Sequence, residues 1–174
     1  MEVDETYVGG DAKNMHQRVR QMKIYGHRND AKTAVQGARE RETGTVKAEV
    51  INGRNLRANV EAWVAPGSTV YTDEAGAYRL LSDQFAHEFV THTREYVRGP
   101  VHTNGIESFW ALLKRAIKGT QVHVDRGHLH RYVTEREFAY NYRTTDDLGR
   151  MRLAMAGTPG RRLTYKGLTA LPDA

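Results

Sequence analysis

HTNGIESFWALLKR, residues 102–115, is the stretch from which the rest of the chain can be read. Ile106, Phe109, Trp110 and Leu113 recur at helical spacing and Ile117 continues the series. An amphipathic helix with that stripe buried is expected. Asn104 suits the N-cap, because its side-chain oxygen can accept an orphan backbone N–H of the first turn. Glu107 and Lys114 stand seven positions apart, two turns along one side. A carboxylate is thereby held near the cationic end of a rigid element, with a lysine two turns further down. Such a pair suits a site that binds a metal ion and a phosphate backbone together. Asn104 with Glu107 three residues later also fits a capping box, in which the Glu reaches back to the cap's backbone N–H. Both readings of Glu107 stay open on this helix alone.

Two upstream acids bear on that choice. Residues 2–8, EVDETYV, read as a strand ended by Gly9-Gly10, since β-branched and aromatic residues are frequent there. Asp4 and Glu5 should point to opposite faces of it, so that one can face a site while the other is solvated. Residues 68–72 form a short apolar strand running straight into Asp73. An acid at the carboxyl end of a central strand is a common place for chemistry in open α/β sheets. Asp73 could equally cap the short helix expected over 75–81, which carries Tyr78.

The remaining elements follow from pattern. Strands are expected at 32–38 and 45–51, joined by the Glu-Arg-Glu-Thr-Gly turn, and at 85–90. A helix over 55–64 places Leu56, Val60, Trp63 and Val64 on one side, with Asn52 or Asn55 as cap and Pro66-Gly67 as stop. A second long helix is expected over 128–143, with Leu129, Tyr132, Val133 and Tyr140 as its apolar stripe. Residues 11–32 are polar and basic, and read as a loop or hairpin that is either solvated or grips a nucleic-acid backbone. The loop over 91–101 carries Arg94 and Arg98. Beyond Asp146 a basic, loosely packed tail is expected, so the chain divides into a domain over 1–145 and a tail over 146–174.

Composition sets outer limits. The 174 residues make one domain, or one with a tail. There is no cysteine, which excludes disulfides and thiolate zinc sites. His123, His128 and His130 form no set with matching cysteines and are read as solvated or phosphate-facing rather than zinc ligands. No apolar run reaches the length of a membrane span, and no signal-peptide region opens the chain. A cytoplasmic, nucleoid-associated protein is expected. The net charge of +5 favours a polyanionic partner.

The element order β-β-β-α-β-α-β-α matches an α/β, ribonuclease-H-like layout, also that of retroviral integrases: a mixed five-stranded sheet flanked by helices. In it the first and fourth strands lie side by side and a later helix packs over them. Asp4, Asp73 and Glu107 would then converge. Clustered carboxylates repel one another unless a cation neutralises them, and hard oxygen ligands suit magnesium or manganese. Two such ions can activate a water or a 3′-hydroxyl and stabilise a leaving oxygen. Lys114 and Lys118 could meet phosphate oxygens as point charges.

Four stretches carry a more specific likeness: VDETYVGG at 3–10, STVYTDEAGAY at 68–78, EYVRGPVHTNGIESFWALLKR at 95–115 and RYVTEREFAYNYR at 131–143. Together they resemble the catalytic domain of insertion-sequence transposases of the DDE class, in the Merlin-related, ISXO-like group. By that resemblance the catalytic, metal-binding acids fall on Asp4, Asp73 and Glu107, with Asn104 as the alternative third ligand. The basic residue after the third acid falls on Lys114, and Lys118, Arg115, His102 and Arg98 are the further DNA contacts. The resemblance implies Mg2+ or Mn2+, two ions in all, and cleavage and strand transfer of double-stranded DNA at transposon ends by a homo-oligomer. Similar transposases carry an upstream DNA-recognition region. Only three residues precede Asp4 here, so an excised domain, a truncated product or a non-catalytic DNA-binding remnant is also expected as an alternative. A nuclease for RNA–DNA hybrids uses similar acids, but no feature of the sequence specifies hybrid recognition.

Overall fold

A computed structural model describes residues 1–9, 32–51, 56–73, 78, 81, 84–90, 101–121 and 124–170. The basic stretch at 11–31, the caps Asn52 and Asn55, most of the helix expected over 75–81, the loop at 91–100 with Arg94 and Arg98, and His123 lie outside the described residues.

Five strands form one sheet in the order β3-β2-β1-β4-β5: β1 Glu2–Val8, β2 Thr33–Arg39, β3 Val46–Ile51, β4 Thr69–Asp73 and β5 Ala86–Val90. β1, β2 and β3 are antiparallel neighbours, with Gly44 at φ 70° in the β2–β3 turn, a left-handed conformation that glycine adopts without a Cβ clash. β4 runs parallel to β1 and to β5. Three antiparallel strands followed by two parallel ones on the far side of β1 define the ribonuclease-H-like fold.

Alternation along β1 divides the core. On one face pack α2, Asn104–Ala116, and α3, Leu129–Asn141. Ile106, Phe109, Trp110 and Leu113 bury there with Val8, Val35, Leu129 and Val133. On the other, α1, Leu56–Trp63, buries Leu56 and Val60 with Val3, Ala38, Val70, Tyr78 and Phe85. The apolar periodicities of 102–115 and 55–64 thus mark opposite layers. α2 runs into a π-helical turn, Ile117–Gln121, and Gly119 lies inside that continuation.

α3 also closes the edge of the sheet. Glu137 Oε2 accepts from Ala48 N at 2.8 Å, and Asn141 accepts from Val46 N and donates to Val46 O, both at 2.8 Å. Side chains of the helix thereby satisfy backbone groups that an edge strand would otherwise offer to another chain. Beyond it the tail is not irregular. α4, Asp147–Ala156, and α5, Tyr165–Thr169, form behind side-chain caps: Asp146 accepts from Gly149 N and Thr164 from Gly167 N.

Candidate active site

Register brings the first two predicted acids together. Glu2 on β1 pairs with Tyr71 on β4, so two residues further along each parallel strand Asp4 stands abreast of Asp73. Carboxylate oxygens of Asp4, Asp73 and Glu5 all lie within 4.8 Å of one another. Asp4 and Glu5 do begin on opposite faces. Asp4 turns toward α2, where its Oδ2 accepts from Trp110 Nε1 at 3.0 Å. Glu5 turns toward α1, where its Oε2 accepts from the Tyr78 hydroxyl at 2.8 Å. Neither is solvated, contrary to the expectation from alternation alone; both are half-buried. A glutamate is long enough to reach the gap beside β4 from the far face.

A missing side chain on β2 makes the Trp110 contact possible. Gly37 is the partner of Asp4 across the β1–β2 ladder. A Cβ on Gly37 would lie 2.7 Å from Trp110 Cη2 and 2.9 Å from Cζ2. The indole therefore rests directly on the backbone of β2 with its N–H aimed at β1. On the other face Tyr78 is fully buried. Gln36 Nε2 donates to Leu56 O at 2.8 Å and, more weakly, to the Tyr78 hydroxyl at 3.5 Å, while Gln36 Oε1 accepts from Asn59 Nδ2 at 2.9 Å.

Crowding shows in the protonation of the site. Burial lifts the Asp4 carboxyl to about 7, helped by the charges of Asp73 and Glu5 and opposed by hydrogen bonds from the backbone and Trp110. Burial also raises Glu5, while the Tyr78 hydrogen bond pulls it back down. The Tyr78 hydroxyl is pushed up by burial and then by the Glu5 charge beside it, which keeps it a donor at any ordinary pH. A pocket that resists ionising its own carboxyls has a deficit of positive charge. The donors are hard oxygens, with neither thiolate nor imidazole in the cluster, and a divalent magnesium- or manganese-like ion fits them.

The third predicted acid is placed differently. Glu107 is exposed on the first turn of α2 and is not among the carboxylates gathered within 4.8 Å. Its Oε1 accepts from Thr103 Oγ1 at 3.0 Å. The same helix carries Trp110, one turn on, which touches Asp4. Asn104 is the first helical residue rather than the cap, because Thr103 holds the N-cap position and makes no side-chain cap bond. The capping box of Asn104 and Glu107 is thus absent.

The cap comes instead from Glu2 on β1, which sequence reading left unassigned. Its carboxylate is fully buried, and Oε2 accepts from Ile106 N at 2.9 Å. Arg41 Nε donates to Oε1 at 3.0 Å, and Arg39 and His102 lie 3.7 and 3.6 Å from the same oxygen. Arg41 also stacks 3.9 Å over the Tyr71 ring. An anion at the positive end of α2 is favourable in its own right, and here it fixes the helix onto the two strands that carry Asp4 and Asp73. His102 belongs to this cluster and is half-buried within it. Lys114, Arg115 and Lys118 are exposed along α2 and the turn after it.

The chain is thus an α/β domain with a ribonuclease-H-like sheet whose first and fourth strands bring two acids together. Within that class the chain belongs to the ISXO2-like transposase domain family, which matches residues 1–141, and its function is accordingly transposase-related. Among solved structures, the catalytic core domain of BIV integrase is similar at 10% identity, with 90% of this chain and 94% of that one covered and a TM-score of 0.49. No curated protein matches the chain. Among the described residues no helix is long and apolar enough to cross a membrane.

Proposed function

We propose that residues 1–145 form a catalytic domain that cuts and joins double-stranded DNA at insertion-sequence ends with Mg2+ or Mn2+. The observation that supports this most is the meeting of Asp4 and Asp73 from separate strands, with Glu5 within 4.8 Å. Divalent ions bound there would supply a lowered pKa for the attacking hydroxyl or water and a counter-charge for the leaving oxygen. Asp4 and Asp73 would hold the metal, and Glu107, or Asn104 in its place, would complete the ligand set from the first turn of α2. Trp110 and Tyr78 orient Asp4 and Glu5 from the two faces, so the carboxylates are positioned before metal arrives. Lys114, Arg115 and Lys118 track the phosphate backbone along α2 as exposed cations, with His102 and Arg98 as further contacts.

The non-catalytic DNA-binding reading draws support from the position of Glu107 outside the acidic cluster. Nicking of supercoiled plasmid separates the two. The catalytic reading requires nicking that depends on Mg2+ or Mn2+ and is lost in Asp4→Asn, Asp73→Asn and Glu107→Gln. Salt-sensitive DNA binding with no nicking in either metal, or equal nicking by the parent and all three variants, would sink it.

A further inference from the structure

A buried series of hydrogen bonds crosses the α1 side of the sheet and ends on Glu5. Gln36 stands directly across the β1–β2 ladder from Glu5, so both side chains leave the sheet on that face. Gln36 and Tyr78 are fully buried. Placing an amide in the layer of Ala38, Leu56 and Val60 is costly unless its polar atoms are matched. An aliphatic side chain would fill the same space without that demand.

The polarity of the series is fixed by chemistry. Leu56 O can only accept, so the Gln36 atom 2.8 Å from it is the amide nitrogen. Gln36 Oε1 is then the atom that accepts from Asn59 Nδ2 at 2.9 Å. The same amide nitrogen faces the Tyr78 hydroxyl oxygen at 3.5 Å. That contact is long, but its hydrogens turn the hydroxyl hydrogen away, toward Glu5 Oε2 at 2.8 Å. Asn59 on α1 thus sets Gln36, Gln36 sets Tyr78, and Tyr78 holds Glu5.

We propose that Gln36 and Asn59 are positioning residues for the divalent ion: acting through Tyr78, they hold the Glu5 carboxylate at the site formed by Asp4 and Asp73. The proposal rests on the metal reading given above and adds the residues that set the site from the far side of the sheet. Glu5 leaves β1 on the face opposite Asp4, and a long, rotamer-rich side chain brings its carboxylate within 4.8 Å of those of Asp4 and Asp73. Tying one oxygen to Tyr78 removes that freedom on folding rather than on ion binding. A carboxylate has a second oxygen with which to face an ion. Residues that orient a ligand in this way change metal affinity by roughly 10–100-fold.

Mn2+ binding to the metal-free full chain, followed by the electron paramagnetic resonance of the free ion, tests this without DNA or catalysis. Gln36→Met removes the amide and keeps an unbranched side chain. The Mn2+ dissociation constant should rise about 10-fold in it, and likewise in Glu5→Gln. The double variant should bind no more weakly than Glu5→Gln alone, because Gln36 acts only through Glu5. Asn59→Asp probes the half-exposed end of the series and decides the matter should Gln36→Met fail to fold. It replaces the donor to Gln36 with an acceptor, and should weaken Mn2+ binding although its added negative charge alone would strengthen it. Asp73→Asn is the control for the metal site. Binding that is lost in Asp73→Asn but unchanged in Gln36→Met, unchanged or tighter in Asn59→Asp, or weakened additively in the double variant would overturn the positioning role and leave the metal site standing. A parent that binds no Mn2+, or binding that survives Asp73→Asn, would overturn the metal reading and the positioning role with it.

Discussion

Replacing Asp4 with asparagine should make the metal-free chain more stable at pH 8, and should do so because the site is built for an ion. Asp4 is held between β4 and Trp110 with two other carboxylates within 4.8 Å. Its folded-state carboxyl titrates near 7 against 3.8 for the free side chain. Between those values the folded chain holds a proton that the unfolded chain has released. Stability therefore falls as pH rises through this window and levels off above it. A shift of that size corresponds to roughly 4 kcal/mol against the ionised form. Water entry and relaxation of Glu5 reduce what a measurement would show, to about 1–3 kcal/mol. Asparagine keeps an acceptor for the Trp110 N–H, and its amide can donate to the neighbouring carboxylates. Urea unfolding of both proteins with chelator present, at pH 5 and pH 8, measures the difference. The gain from Asp4→Asn should be largest at pH 8 and shrink toward pH 5. A variant less stable than the parent at both values, or a gain that ignores pH, would refute the electrostatic account.

Three further substitutions probe the supports of the site. Gly37→Ala places a Cβ 2.7 Å from Trp110 and should cost about 1–3 kcal/mol in denaturant unfolding, with a shift in tryptophan emission as the indole is displaced from Asp4. Glu2→Gln leaves Arg39 and Arg41 facing a neutral group at the start of α2, and chemical denaturation should show a loss of about 3–5 kcal/mol. Tyr78→Phe removes the donor to Glu5 and should lower stability by about 1–2 kcal/mol; a titration with Mn2+ should show weaker binding, because Glu5 is no longer tethered.

The sheet was legible because its signals are local. Strands 2–8 and 68–72 end in glycine or in an acid, and the stripes of α1 and α2 declare which layer each helix joins. With the first and fourth strands adjacent and parallel, the approach of Asp4 to Asp73 follows from counting along each. What remained hidden depends on contacts between distant residues. Alternation gave the correct faces for Asp4 and Glu5 but not the reach of a glutamate around the gap beside β4. Nothing near Asn104 reveals that a buried carboxylate 104 residues before Ile106 caps its helix. Nor does any pattern around His102, expected at DNA, announce that its ring stands 3.6 Å from the Glu2 carboxylate. The tail is exposed, as its glycines and arginines suggest, but the two helices capped by Asp146 and Thr164 within it have no long apolar period to announce them.

The most direct measurement is anomalous diffraction from crystals grown with Mn2+. The account predicts a manganese peak bridging the carboxylates of Asp4 and Asp73, at roughly 2.0–2.3 Å from an oxygen of each, and no such peak in crystals of Asp73→Asn. Manganese bound only elsewhere on the parent chain, with the Asp4 and Asp73 carboxylates left to each other, would contradict it.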